Sequence, residues 1–146
     1  MKVWFVAGFG PVHRDPVAAP ALYVEALGLP LRRDDDGYWH PDRLPGVKSF
    51  ARWPLAQAAQ SCFGAETWPA AVPVPQAWVE FDVEFDGEDV AAATAELAAR
   101  GYALLVAERD ESWGQTVTRL LGPEGLLVGI TRTPALRDAA PSSTGG

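Results

Sequence analysis

The stretch Ala77-Trp78-Val79-Glu80-Phe81-Asp82-Val83-Glu84-Phe85 alternates without a break. Val79, Phe81, Val83 and Phe85 fall on one side of a strand, and Trp78, Glu80, Asp82 and Glu84 on the other, because successive strand side chains point to opposite faces. One face therefore packs, and the other meets water or a ligand. Downstream, Glu88 to Arg100 spells an alanine-rich helix with acids in its first turn, a base in its last and Gly101 as its stop, an order that suits the helix dipole. Tyr102–Ala107, Thr116–Leu121 and Leu126–Thr131 follow as strands, the last two joined by the turn residues Gly122-Pro123-Glu124-Gly125. The unit reads strand, helix, three strands.

The first half spells the same order. Trp4–Phe9 reads as a buried strand, with Trp4 as core material, and Pro11 and Pro16 bracket a polar turn, Val12-His13-Arg14-Asp15. Ala18–Leu27 then has helical apolar spacing, capped by Asp15 and ended by Gly28. Pro30–Arg33 and Gly37–His40 flank Asp34-Asp35-Asp36-Gly37, whose Asp-Gly step signals a hairpin, and Val47–Trp53 is a further strand stopped by Pro54. Placing Asp15 over Asp89 also places Tyr23 over Leu97, so the chain reads as a tandem βαβββ duplication. The expected fold is α+β: a first module over 1–53, a proline-rich connector over 54–76 with a short helical patch at Leu55–Ser61, a second module over 77–133 and a disordered tail over 134–146.

Composition narrows the function. Among 146 residues, 48% are hydrophobic and 21% charged, which supports one compact core and argues against disorder. The net charge of −7 disfavours nucleic acid and anionic membranes as partners. Apolar runs such as Val3–Phe9 are far shorter than the roughly 20 residues that cross a bilayer, so the expected location is the cytoplasm. The single cysteine, Cys62, makes no internal disulfide; with no basic neighbour in sequence, it reads as a buried small residue.

On these residues a resemblance rests. Asp15…Tyr23…Leu27-Gly28-Leu29, then Asp89-Val90-Ala91-Ala92…Glu96-Leu97…Arg100-Gly101, Trp113-Gly114-Gln115 and Gly122-Pro123-Glu124-Gly125, resemble in order the pattern of the vicinal oxygen chelate superfamily, which includes glyoxalase-like, bleomycin-resistance-like and extradiol dioxygenase-like proteins. The resemblance covers roughly residues 3–132. It implies a cup-shaped mixed sheet with helices on the outer face, a homodimer, and, in the metal enzymes, one His or Glu from the first and last strand of each module. Those positions fall here on Gly8, near Ala51, on Asp82 and on Gly129. One carboxylate in four does not hold a divalent ion, which needs three or four ligands. His13 and His40 lack ligand spacing and read as ordinary polar residues.

The concave strand is the remaining signal. Six tryptophans are many for this length, and Trp78 shares its strand face with Glu80 and Asp82. Gly8 and Gly129 either widen the pocket floor or let strands pack closely. Alternation through Trp113-Gly114-Gln115-Thr116-Val117-Thr118-Arg119 sets Gln115, Val117 and Arg119 on one side, with Arg119 in reach of a ligand carboxylate or, as the favoured pairing, of Glu80 or Asp82. The expected function is binding of a small organic molecule, antibiotic-like and cationic, by Trp78, Glu80, Asp82, Trp113, Gln115, Arg119, Gly8 and Gly129, with no metal or other cofactor. The alternative is a lyase, isomerase or dioxygenase that uses a displaced divalent metal, or Glu80 or Asp82 as acid/base groups. A third reading is an interaction module whose cup is filled by its own Trp and Arg side chains.

Overall fold

A computed structural model describes residues 1–14, 21–41, 44–84, 90–134 and 136. The elements are β1 (Lys2–His13), a π-type helical turn at Ala21–Ala26, β2 (Leu31–Arg33), β3 (Trp39–Pro41), β4 (Trp53–Pro54), α1 (Leu55–Phe63), β5 (Ala77–Glu84), α2 (Val90–Ala99), β6 (Val106–Asp110), β7 (Thr116–Leu121) and β8 (Leu127–Arg132). The expected caps at Asp15 and at Glu88 and Asp89, the start of the first helix, Phe85 and the tail from 137 onward lie outside the described residues.

Six strands form one curled sheet in the order β4-β1-β5-β8-β7-β6, the half-barrel of a cup-shaped α+β fold. The β2–β3 hairpin adjoins its end through a bridge between Trp39 and Arg52. Outward from the antiparallel β1–β5 seam, each half then runs first, fourth, third, second strand, and in each the first pairs with the fourth in parallel. The duplication read from the sequence is thus visible as a repeated strand order.

Two apolar layers hold the sheet. On the outer face, Val90 and Ala93 of α2 pack against Val83 and Ile130, with Phe81 and Leu97 around them. Full burial of such a side chain contributes about 1.5–3 kcal/mol. Thr94 and Thr118 lie in this layer with their hydroxyls 2.6 Å apart, so each polar group is satisfied. The second layer joins Ala58, Ala59 and Cys62 of α1 to Trp53, Trp68, Trp78 and Leu127. Trp53 and Trp78 meet edge to face, with ring centroids 5.9 Å apart.

Several expectations need correction. Val12 and His13 are not a turn: they extend β1 and pair with Trp53 and Pro54. Trp4 is not core: the β1–β5 register slips between Val3 and Phe5, so Trp4 leaves the ladder half exposed, and its Nε1 donates to Glu84 Oε2 at 2.6 Å. The strand expected over Val47–Trp53 is regular only at Trp53–Pro54, preceded by isolated bridges from Arg52 to Trp39 and from Phe50 to Phe9. Gly10 permits that approach, since a Cβ there would overlap the Ala51 carbonyl. Within the expected helix over Ala18–Leu27, the described part is a wide turn in which Leu27 N–H donates to Leu22 O. The strand expected over Tyr102–Ala107 instead begins at Val106 and runs to Asp110, and within it Glu108 adopts a φ of 50° where the pairing with β7 slips. No helix among the described residues is long and apolar enough to cross a membrane.

Candidate ligand-binding site

One row of residues crosses the concave face. Gly8 of β1 pairs with Glu80 of β5, Glu80 with Gly129 of β8, and Gly129 with Arg119 of β7. The residue level with the two glycines is therefore Glu80, not Asp82, which stands opposite Phe5 and Thr131. Both glycines make room. A Cβ on Gly8 would come within 2.9 Å of the Trp78 ring, and one on Gly129 within 2.9 Å of Glu80 Cγ and 3.4 Å of Arg119 Nη1. Neighbouring side chains thus fill the space freed at the two glycines, the positions at which the resemblance implies ligands in metal enzymes.

These neighbours form a continuous polar chain. Trp113 Nε1 donates to Gln115 Oε1 at 2.9 Å, and Gln115 Nε2 donates to Glu80 Oε2 at 2.6 Å. Glu80 Oε1 lies 2.8 Å from Arg119 Nη1. The Nη1 protons do not line up on that oxygen, so this contact is ionic rather than a linear hydrogen bond. Arg119 Nε donates to Ser61 Oγ at 3.2 Å, Ser61 Oγ donates to Glu111 Oε1 at 2.6 Å, and Arg109 closes the series on Glu111 at 3.3 Å. The Arg119 guanidinium also sits over the Trp53 ring at 4.6 Å. Arg119 is 1% exposed, so its ion pair with Glu80 is a buried one.

A cavity of about 510 Å³ opens above this floor, within the usual range for small-molecule sites. Gly8, Trp78, Glu80, Trp113, Gln115 and Arg119, all singled out from the sequence, line it. Asp82 and Gly129 do not. Asp82 is fully buried, and its Oδ2 accepts from the Thr133 backbone N–H at 3.1 Å. Trp53 of β4 lines the cavity as well; the sequence reading missed Tyr38, Asp34 and Asp36 from the hairpin, Lys48 and Ser49 from the stretch leading into β4, and Leu136, which lies in the stretch read as tail. The Asp-Gly turn locates the hairpin but says nothing of its contact with the cup, which is a tertiary fact.

Burial, followed by the charges of Glu80, Asp34 and Asp36, pushes the Tyr38 hydroxyl well above the ordinary tyrosine range, against a smaller opposing effect of Arg119. Tyr38 is a neutral phenol at any physiological pH. The Cys62 thiol, packed in the layer that holds Trp53 and Trp78, is pushed up to about 11, chiefly by burial. A thiol held so protonated is no nucleophile.

The four superfamily ligand positions do not fit a divalent ion. They offer two glycines, a stretch near Ala51 with no His, Cys, Asp or Glu, and, at the level of the glycines, Glu80. Glu80 already faces a guanidinium, which occupies the space an ion would need. His40 bonds Asp34 at 3.1 Å, and His13 is buried at the end of β1. Among the described residues, no group of three or more His, Cys, Asp or Glu is gathered as a metal site.

No protein-family model matches the sequence, and no curated protein matches it. Solved structures do. A glyoxalase/bleomycin resistance protein/dioxygenase superfamily member from Vibrio splendidus 12B01 aligns at a TM-score of 0.50 and 17% identity, over 86% of this chain and 96% of that one. A structure from Legionella pneumophila described as an NAD-dependent benzaldehyde dehydrogenase aligns at 0.53 and 10% identity, over 85% and 96%. A glyoxalase/bleomycin resistance protein/dioxygenase from Nocardioides shares 23% identity over 90% and 84%, at a TM-score of 0.37. The fold is of the vicinal oxygen chelate type.

Proposed function

We propose that the protein binds a small planar organic molecule in this cup, as a glyoxalase/bleomycin-resistance-like binding protein rather than a metal-dependent enzyme. The observation that carries the reading is the cavity itself: about 510 Å³ bounded by Tyr38, Trp53, Trp78 and Trp113 over a floor of paired charges. Aromatic walls supply area and face-to-face contact for planar ligands. Acid/base chemistry by Glu80 is disfavoured because both its oxygens are engaged, one by Arg119 and one by Gln115. The same likeness is the ground for proposing a homodimer.

The test is a calorimetric titration with a panel of planar aromatic compounds, on the native protein and on Trp78→Ala and Glu80→Gln. Binding by the native protein that weakens at least about 10-fold in Trp78→Ala supports the site, since an aromatic contact of this kind is worth about 1.4 kcal/mol or more with its area. Binding unchanged in both variants would place the ligand elsewhere.

A further inference from the structure

Every charged group that lines the cavity already has a partner, whereas several neutral donors have none. Glu80 is held by Arg119 and Gln115. Asp34 meets His40 at 3.1 Å, Asp36 Oδ1 accepts from the Tyr38 backbone N–H at 3.1 Å, and Lys48 Nζ donates to Leu136 O at 3.2 Å. By contrast, Tyr38, Ser49 and Trp53 also line the cavity, and the Tyr38 hydroxyl, the Ser49 hydroxyl and the Trp53 indole N–H make no intramolecular hydrogen bond among the described residues. Polar groups in a partly dry cavity gain most from a ligand that satisfies them.

From this contrast we infer that the cup selects an uncharged planar ligand that carries hydrogen-bond acceptor oxygen, with Tyr38 as the specificity-determining donor. The inference rests on the binding reading above and narrows it. At the floor of the cup, a cationic ligand, the class expected from the acidic strand face, would have to compete with Arg119 for Glu80. An anionic one would have to compete with Glu80 for Arg119. Either exchange breaks a buried ion pair and leaves one charge uncompensated. A carbonyl oxygen between the aromatic walls disturbs neither, and it accepts from a phenol that burial keeps protonated.

The experiment uses four probes of one shape on the full chain: naphthalene, 2-acetylnaphthalene, 2-naphthoate and N,N,N-trimethyl-2-naphthylammonium, each titrated by calorimetry at neutral pH. The expected order places 2-acetylnaphthalene first, about 3- to 10-fold tighter than naphthalene, the usual yield of one added neutral hydrogen bond. In Tyr38→Phe that margin closes; in Ser49→Ala it narrows. Tighter binding of the ammonium or the carboxylate, or a margin that survives Tyr38→Phe, overturns the inference and leaves the binding reading standing. No binding of any of the four overturns both.

Discussion

Gly129 and Glu80 stand opposite each other on parallel strands, and a Cβ on Gly129 would lie 2.9 Å from Glu80 Cγ and 3.2 Å from Val117 Cγ2. The missing side chain is what lets Glu80 lie flat toward Arg119. Gly129→Ala is therefore expected to destabilise the fold by about 1–3 kcal/mol in urea unfolding, the usual cost of overpacking. Gly8→Ala meets a side-chain ring and costs a similar amount, whereas Gly10→Ala meets the Ala51 backbone and costs more than either.

The Glu80–Arg119 pair is buried, with side-chain exposures of 12% and 1%. Removing one partner leaves the other uncompensated, so Arg119→Met is expected to cost about 3 kcal/mol or more. The double variant Glu80→Gln/Arg119→Met should recover a substantial part of that loss. A double variant no more stable than Arg119→Met would show that Arg119 acts through its contacts with Ser61 and Trp53 instead.

Cys62 and Tyr38 set the alkaline limit. Both native pKa values are raised, the thiol from 9.0 to about 11 and the phenol from 10.0 upward. The unfolded chain releases these protons first, so stability is complete below about pH 9 and falls as pH rises through 9 to 11 and beyond. Melting curves at stepped pH should show this decline, with its early part flattened in Cys62→Ala and its later part in Tyr38→Phe. At pH 8, Cys62 should react with a thiol reagent only after unfolding.

The donor set predicts the response to metals. Native mass spectrometry of the untagged protein, offered Zn²⁺, Ni²⁺, Mn²⁺ and Fe²⁺ in turn, should show no stoichiometric tight ion. One firmly held ion per chain would require that the Glu80–Arg119 pair open, and would move an enzymatic reading to first place. The same spectra report the oligomer and any retained organic mass.

Legibility of the sequence followed the range of the forces involved. Thr116–Leu121 was readable residue for residue, because alternation and a glycine turn are local, and that alternation already set Gln115 and Arg119 on one face. The resemblance marked positions 8 and 129 as glycines where it implies ligands in metal enzymes. What filled their space was not legible, since it depends on which residue lies level across strands: Glu80 and Asp82 share a face, and only the register separates them. Trp4 shows the same limit, a large apolar residue turned outward by a slip in pairing that no sequence pattern announces. Tyr38 and Ser49 reach the cup from the far end of the repeat, through contacts of long sequence separation.

The bulge in β6 has a consequence for assembly. This strand is the free end of the six-stranded sheet, and an open edge is a ready template for adding a strand from another copy. Here Glu108 breaks the line with a positive φ, and Glu108, Arg109 and Asp110 set charges of both signs along the rim. Such an edge resists continuous extension, so the chain is protected from runaway polymerisation through β6.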